Sequence, residues 1–555
     1  MKRAAAQALA LAALIAACYV GSLGAPFVFD DVPSIVQNPH LERLWPLSLA
    51  ARSADHVESS FAGRPVASYT LALSYALSGR AVWGYHALSI ALHVANAWLL
   101  LAIGLSTFRK RGLGTAGPHL AFAATALWAV HPLASEAVVY ASARSELLVS
   151  TFLLAALAAA LPVFAGSAHR AVWTATAAAC GLLAVGSKEN AAALPLVVLL
   201  YDRAFVSGGF VRALRRHAAL HAALFATWLP LAALVALGAR GRTVGFDLGL
   251  SPHESLYTQA GVILHYARLA VWPHELQFVY DWVPVRTLRA ALPELAVVAA
   301  AALATLAGIF RRPRLAFAPA CAFAILAPTS SAIPIVSELA AEKRMYLPLA
   351  PLAAAAVVGA WLALRAAAAR LAIGARPLAA GAAVAGAAVL AAASAATAAR
   401  VAVYRSDLAL WSDTLAQAPD HPWVHNNLGV AYRERGEVAR AEQHFRRAVE
   451  IRPSLAPAWV NLGNLRLREG DLEAAIAAYR EALRSLPDAF EVQYDLGLAL
   501  ARAGRITEAL PHFEAAVRIH PSDRTAHVAL ARTYRRLGDP ARAASHEEIA
   551  AALER

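Results

Sequence analysis

A chain of 555 residues that is 59% hydrophobic and 16% charged, with a mean hydropathy of +0.50, is far more apolar than a soluble domain, which runs to roughly 45–50% apolar and 25% charged residues. Its formal charge of +13 would suit nucleic acid, but no platform of interleaved basic and aromatic residues accompanies it, which argues against that role. Three cysteines, Cys18, Cys180 and Cys321, each sit in an apolar run without C-x-x-C spacing, so they read as buried small hydrophobes and identify neither a disulfide framework nor a redox compartment.

The chain opens with Met1-Lys2-Arg3 and an apolar run. A cleaved signal peptide would start this way, and Ile15-Ala16-Ala17-Cys18 resembles a lipoprotein cleavage box. The run continues through Tyr19, Val20 and Leu23, to about 20 residues, which is the length of a spanning helix. Further apolar stretches lie at 84–107, 118–131, 145–165, 171–187, 190–202, 217–238, 294–310, 315–330, 345–364 and 377–397. With 4–24 they make about eleven spans. Each must be helical, because the bilayer core offers no water to an open strand. The stretch 256–273 carries Gln259, His265, Tyr266 and Arg268, and either crosses, re-enters or lies in the interface.

Basic residues cluster in short loops: Arg109-Lys110-Arg111, Arg212 with Arg215-Arg216, Arg311-Arg312 with Arg314, and Arg365 with Arg370. The positive-inside rule places these loops and Lys2-Arg3 in the cytoplasm, provided 256–273 makes no net crossing. The 25–83 loop and everything after the last span then lie outside. Ionisable residues at membrane edges tend to mark function, and most fall on that outer side. They are Asp30-Asp31, Arg64, His86 and His93 seven residues apart, His131, Glu136, Arg144, Glu146, Lys188-Glu189, and Glu342 and Arg344 with Tyr346. The bland alternatives are a solvated turn for the aspartates and satisfied core positions for the histidines. Zinc is poorly supported, since His86 and His93 are not four apart and no HExxH occurs.

From about 401 the chain reads as a charged soluble protein. Leu408, Trp411 and Leu415 suggest a lead-in helix within 401–421. A period of 34 follows. Leu428-Gly429, Leu462-Gly463 and Leu496-Gly497 recur, as do Ala441, Ala475 and Ala509, then Phe445, Tyr479 and Phe513, and Pro453, Pro487 and Pro521. This is the tetratricopeptide pattern of helix–turn–helix units. It predicts repeats at 422–455, 456–489 and 490–523, with a degraded capping unit at 524–555 that keeps Leu530, Tyr534 and Ala543. Asn427, Asn461 and Asn464 fall on first helices, which line the concave face of such a stack, and could bond a peptide backbone.

The segments FDDVPSIVQNP (29–39), GRPV (63–66), GYHALSIALHVANA (84–97), HPLASEAVVYASARSELL (131–148), SKENAAALPLVVLLYD (187–202) and EKRMYLPL (342–349), followed by the repeats, resemble the transmembrane and tetratricopeptide-repeat O-mannosyltransferase family. The Ala-rich composition looks bacterial. The resemblance implies an all-α protein: a GT-C glycosyltransferase membrane domain over 1–400, with its catalytic outer loop at 25–83, ahead of the repeats. It implies transfer of mannose or a similar sugar from a polyprenyl-phosphate donor to a hydroxyl, on protein Ser or Thr, at the outer face of a multi-pass membrane protein. A bacterial relative would sit in the inner membrane with its repeats on the periplasmic side. By the family's acidic motif Asp30 or Asp31 is the general base. Arg64, Arg144, Lys188 and Arg344, with His131 as a hydrogen-bond donor, would gather the leaving phosphate's charge. Other site candidates are His86, His93, Glu136, Glu146, Glu189, Glu342 and Tyr346. A single displacement inverts the anomeric centre. A divalent cation is an optional cofactor, since some acidic-motif enzymes of the superfamily bind one. The implied partners are the lipid-linked donor, membrane lipids and a protein acceptor or partner in the repeat groove. A non-catalytic membrane-anchored scaffold is the rival reading; a transporter would call for inverted repeats, and none is evident.

Overall fold

The computed structural model describes residues 2–45, 61, 63–109, 113–236, 250–331 and 338–554. Lys110, Arg111 and part of the 25–83 loop (46–60 and 62) lie outside the described residues. Among the described residues every regular element is helical. The chain divides into two compact units, Met1–Ser406 and Asp407–Arg555. The helix Ala375–Val403 runs on through position 400, which sets the division after Ser406.

In the first unit each of the eleven apolar stretches is mainly helical over its described residues. Eight helical stretches among the described residues are long and apolar enough to cross a membrane. Gly114–Ala129 and Pro132–Val139 form a further pair bent by 57°, while Arg170–Val185 and Pro313–Leu326 are shorter apolar helices. The bend has a local cause. Pro132 brings no N–H to the helix, and the His131 ring caps the new start by accepting from Leu133 N at 3.3 Å. The most apolar windows of Leu288–Arg311 and Ala375–Val403 bury nothing inside the protein, as expected of helices whose flanks face lipid.

The stretch 256–273 is part of a helix, Pro252–Val271, opened by a capping box between Ser251 and Glu254. The chain then doubles back beside it. Val285 N donates to Thr258 Oγ1 at 2.9 Å, and Arg286 pairs with Glu254 at 3.5 Å.

The polar contacts sort to two ends of this unit. At one end Arg3 meets His119, Thr107 bonds Tyr201 at 2.6 Å, and Arg203 donates to the carbonyls of Ile309 and Phe310 at 2.8 and 3.1 Å. At the other lie Asp30-Asp31, Arg64, residues 140–146, Lys188-Glu189 and 338–346.

The second unit begins with the lead-in helix Asp407–Gln417. Four helix pairs follow: Pro422–Glu434 with Val438–Ile451, Ala456–Glu469 with Leu472–Ser485, Phe490–Arg502 with Ile506–Ile519, and Arg524–Arg536 with Pro540–Ala552. The repeated glycine is a packing requirement. A Cβ on Gly463 would stand 2.6 Å from the Tyr479 ring, and Gly429 and Gly497 meet Phe445 and Phe513 in the same way. One regularity is not evident in the sequence. His425, Trp459, Gln493 and His527 each place a side-chain nitrogen on the carbonyl of the proline six residues earlier, at 2.9, 2.8, 2.7 and 3.0 Å. These bonds satisfy carbonyls that the inter-repeat turn would otherwise leave open. Leu530, Tyr534 and Ala543 of the last unit are buried with the preceding repeats.

Candidate active site

The two adjacent aspartates have different surroundings. Residues 28–31 form a tight turn in which Asp31 N donates to Val28 O at 2.9 Å, and Phe29 takes a φ of 51°. A bulky residue rarely adopts that conformation. The Asp31 carboxylate holds the turn: it accepts from Val28 N at 3.2 Å, Ser142 N at 2.7 Å and Ser142 Oγ at 2.5 Å. Asp31 is wholly buried, and that burial pushes its carboxyl up to about 7 against the hydrogen bonds from Ser142 and Val28. The same turn presents Asp30, whose main-chain N–H donates to Tyr140 Oη at 3.1 Å, with its side chain partly exposed. Burial also raises the Asp30 carboxyl, and the Lys343 cation is the strongest opposing charge. The two neighbouring carboxylates thus have different environments: Asp31 is buried under three donors, while Asp30 keeps partial exposure beside the Tyr140 hydroxyl.

Lys343 lies at the centre of the remaining charges. Its ammonium pairs with Glu136 at 3.2 Å and Glu338 at 2.5 Å and stands 5.3 Å from the centre of the Tyr140 ring. Its main-chain N–H donates to Glu136 at 2.9 Å. Arg64, partly exposed, pairs with Glu189 at 3.2 Å. Lys188 and Glu146 form a buried ion pair. Glu342 accepts from Gln277 N at 2.5 Å and Tyr280 Oη at 2.9 Å; burial pushes its carboxyl up to about 8, opposed by Arg400, which lies 3.9 Å away.

Other residues singled out in the sequence serve the frame. Arg144 is buried and donates to the Thr70 carbonyl, the Ser74 hydroxyl and the Tyr85 carbonyl at 3.0, 2.9 and 2.6 Å. Arg344 donates to the carbonyls of Thr329 and Leu339, both at 3.2 Å, and to that of Glu338. His86 bonds the Ala25 carbonyl at 2.9 Å. His93 bonds Tyr346 Oη at 2.7 Å and the Ala129 carbonyl at 2.9 Å, within an aromatic cluster with Trp128. Glu136, Glu338 and Asp31 each accept from protein donors.

Lys343, Glu338, Tyr140 and Tyr280 are not marked out by the sequence. Lys343 and Tyr140 lie inside two quoted segments, EKRMYLPL and HPLASEAVVYASARSELL. Their presence there was the available signal.

In the repeats, Asn461 accepts from Arg433 at 2.8 Å and donates to Asn426 at 3.0 Å. Asn464 accepts from Tyr479 Oη at 2.7 Å, and Asn427 accepts from Asn426 at 3.2 Å. These asparagines bond within the stack. A groove of about 830 Å³ opens instead over the last two repeats, lined by Arg502, Arg524, Arg532, Arg535 and Arg536 beside Tyr494, Leu498 and Phe513. Arg524 and Arg535 pair with Glu554 and Glu547. No acidic residue lines the groove.

Tetratricopeptide-repeat family profiles match residues 424–488, 460–524 and 502–554. The chain is also similar to a protein O-mannosyl-transferase of Caenorhabditis elegans, 35% identical over 145 residues that make up 25% of this chain and 20% of the relative. Protein O-mannosyl-transferase TMTC3 of Mus musculus is 30% identical over 210 residues, 36% of this chain and 22% of the relative. TMTC1 of Homo sapiens is 34% identical over 149 residues, 25% and 16% respectively. The chain thus matches about a fifth of the length of these relatives. A solved structure, that of MamA, aligns with 26% of this chain and 86% of its own at 22% identity, with a TM-score of 0.25.

The anchoring role of Asp31 predicts a pH dependence of stability. Its carboxyl is held at about 7, above the ~3.9 of an unfolded chain. Folding therefore takes up a proton between those values, and the residue's contribution falls as pH rises through that window. Asp31→Asn removes the titration. Thermal unfolding of the purified chain at pH 5 and pH 8 should show wild type losing stability relative to Asp31→Asn as pH rises. A difference independent of pH would reject the assignment.

Proposed function

We propose that this chain is a membrane glycosyltransferase that moves a sugar from a polyprenyl-phosphate donor to a hydroxyl, on the face away from the cytoplasm. Similarity to proteins named O-mannosyl-transferases supports the reaction class. The observation that carries the reading is the division of labour between Asp31 and Asp30. In one displacement the acceptor oxygen attacks the anomeric carbon and passes its proton to Asp30. The bond from that carbon to the phosphate oxygen breaks on the opposite side, so the configuration inverts. The lipid phosphate leaves with the bonding electrons, and its charge is met by fixed cations. Arg64 is suited to meet it, being partly exposed and paired with a carboxylate, Glu189, that can yield to a phosphate. Lys343 tunes Asp30 from the other side. Arg144, Arg344 and Lys188 hold the frame that positions them.

A lipid donor also needs a place for its tail. An apolar groove of about 480 Å³ runs along Leu196, Leu199, Leu200, Ile263, Leu306 and Phe323 and reaches Ser330 and Ser331. An isoprenoid chain matches that lining in polarity. The lead-in helix and repeats follow the membrane unit. We assign the arginine-lined groove to an acidic segment of the protein acceptor, because a cleft lined by one sign of charge attracts the other.

Membranes containing the chain, given labelled sugar on polyprenyl phosphates, should transfer label to protein. Asp30→Asn should lower the rate by about 10²–10⁴-fold, the usual contribution of a general base, at matched protein level. Transfer that survives Asp30→Asn would remove Asp30 from the reaction, and wild type inactive with every donor would favour the scaffold reading.

Deleting 407–555 separates docking from chemistry. Transfer to a small diffusible hydroxyl acceptor should persist while transfer to protein falls. Equal retention of both would assign the repeats to another partner.

A further inference from the structure

A buried cluster of one aspartate and two histidines lies at the far end of the membrane unit from Asp30, and the sugar transfer proposed above does not use it. We propose that Asp202, His217 and His221 bind a divalent transition-metal ion of the zinc class.

The fold brings these residues together by two local irregularities. After the helix Leu194–Tyr201 the chain continues as a wider helical turn, Asp202–Ser207, and reverses at Gly208, where φ is 75°. The next helix, Phe210–Arg216, breaks at His217 and resumes as Ala218–Ala226. His217 and His221 are therefore one turn apart and face the same carboxylate. Asp202 Oδ2 lies 2.7 Å from His217 Nδ1 and 2.9 Å from His221 Nε2. All three donor atoms are within 4.8 Å of one another. Ligand bonds of about 2.1 Å in a tetrahedral zinc site put donor atoms about 3.4 Å apart, so the carboxylate oxygen would draw back from both nitrogens and the two imidazoles would close on the ion. The other carboxylate oxygen accepts from Ser207 Oγ at 2.6 Å, the kind of outer bond that orients a ligating carboxylate.

All three residues are buried, in a wall that includes Phe164, Tyr201, Leu220 and Leu224. Two imidazoles and one carboxylate are the borderline donor set that suits zinc and its neighbours. The competing account is a metal-free knot in which both histidines donate N–H to Asp202, and the experiment is chosen to separate the two. Asp202 stands 13 residues along its helical stretch from Glu189, or ~20 Å at 1.5 Å per residue. The ion would therefore not touch the transferred sugar. It would pin the segment 210–226 to the helix before it.

The test uses the full chain purified in detergent, loaded with Zn²⁺ and freed of excess by gel filtration. We expect on the order of one ion per chain in wild type, and loss of that ion in His217→Gln and His221→Gln variants that still elute as monodisperse protein. His444→Gln, which removes the ring that lies 2.9 Å from His425 in the first repeat, should keep it. Loading with Co²⁺ should give the visible absorption of a four-coordinate ion in wild type but not in His221→Gln. EDTA should lower the wild-type melting temperature and leave that of His221→Gln unchanged. A wild type that holds no zinc and is indifferent to EDTA would establish the metal-free knot and overturn the proposal. Equal zinc in wild type and His221→Gln, or loss of the ion in His444→Gln, would place it elsewhere and do the same.

Discussion

The bond between the Asp31 carboxylate and Ser142 fixes the relation on which the whole Asp30 end depends. A turn just after the first helix is fastened to the start of Arg144–Phe164, 111 residues later in the chain. From there the connections alternate along the sequence. Tyr140 meets Asp30, Ser142 meets Asp31, Arg144 clamps residues 70, 74 and 85, and Glu146 pairs with Lys188. Four polar residues, each two apart, tie four separate segments to one short stretch. Removing Asp31 would leave buried donors unmatched, which typically costs about 1–3 kcal/mol, and would release Asp30 from its place.

Buried charge sets the second constraint. An isolated ion in a low-dielectric site is prohibitively expensive, so the cations here are matched to carboxylates or carbonyls. Lys188 has Glu146, Lys343 has Glu136 and Glu338, and Arg344 has three carbonyls. Arg64 and Asp30 retain partial exposure, as Lys343 and Glu338 do. A reacting site needs such groups: charge held in position by its neighbours and still open to a ligand.

The architecture was legible in the sequence because it is periodic. Apolar runs and a period of 34 are one-dimensional signals, and the helices and repeats follow them. The residue types of the candidate site can be read from the sequence, but their pairings cannot. The partners Lys188–Glu146, Arg64–Glu189 and Lys343–Glu136 are separated by 42, 125 and 207 residues, and nothing local says which carboxylate a given cation will meet. Asp30 and Asp31 are indistinguishable by type; only the turn at Phe29 sends one inward and leaves the other accessible. Lys343 sits beside Arg344, and the sequence favoured the arginine, although its guanidinium is bound to carbonyls. The asparagines of the repeats bond their neighbours, while the cationic groove depends on arginines that share a face only after the helices pair. The Asp202 cluster depends on a helix break at His217 that no periodicity announces.

If the lipid donor and the acceptor meet at Asp30, that end of the membrane unit must open to the side away from the cytoplasm. The direct measurement is accessibility of a single cysteine to a membrane-impermeant maleimide on intact cells, in a background where Cys18, Cys180 and Cys321 are replaced. Glu42→Cys, exposed and close in sequence to Asp30, should label on intact cells, and Arg216→Cys only after permeabilisation. The reverse pattern, with Arg216→Cys labelled from outside and Glu42→Cys protected, would contradict the orientation and the chemistry assigned to it.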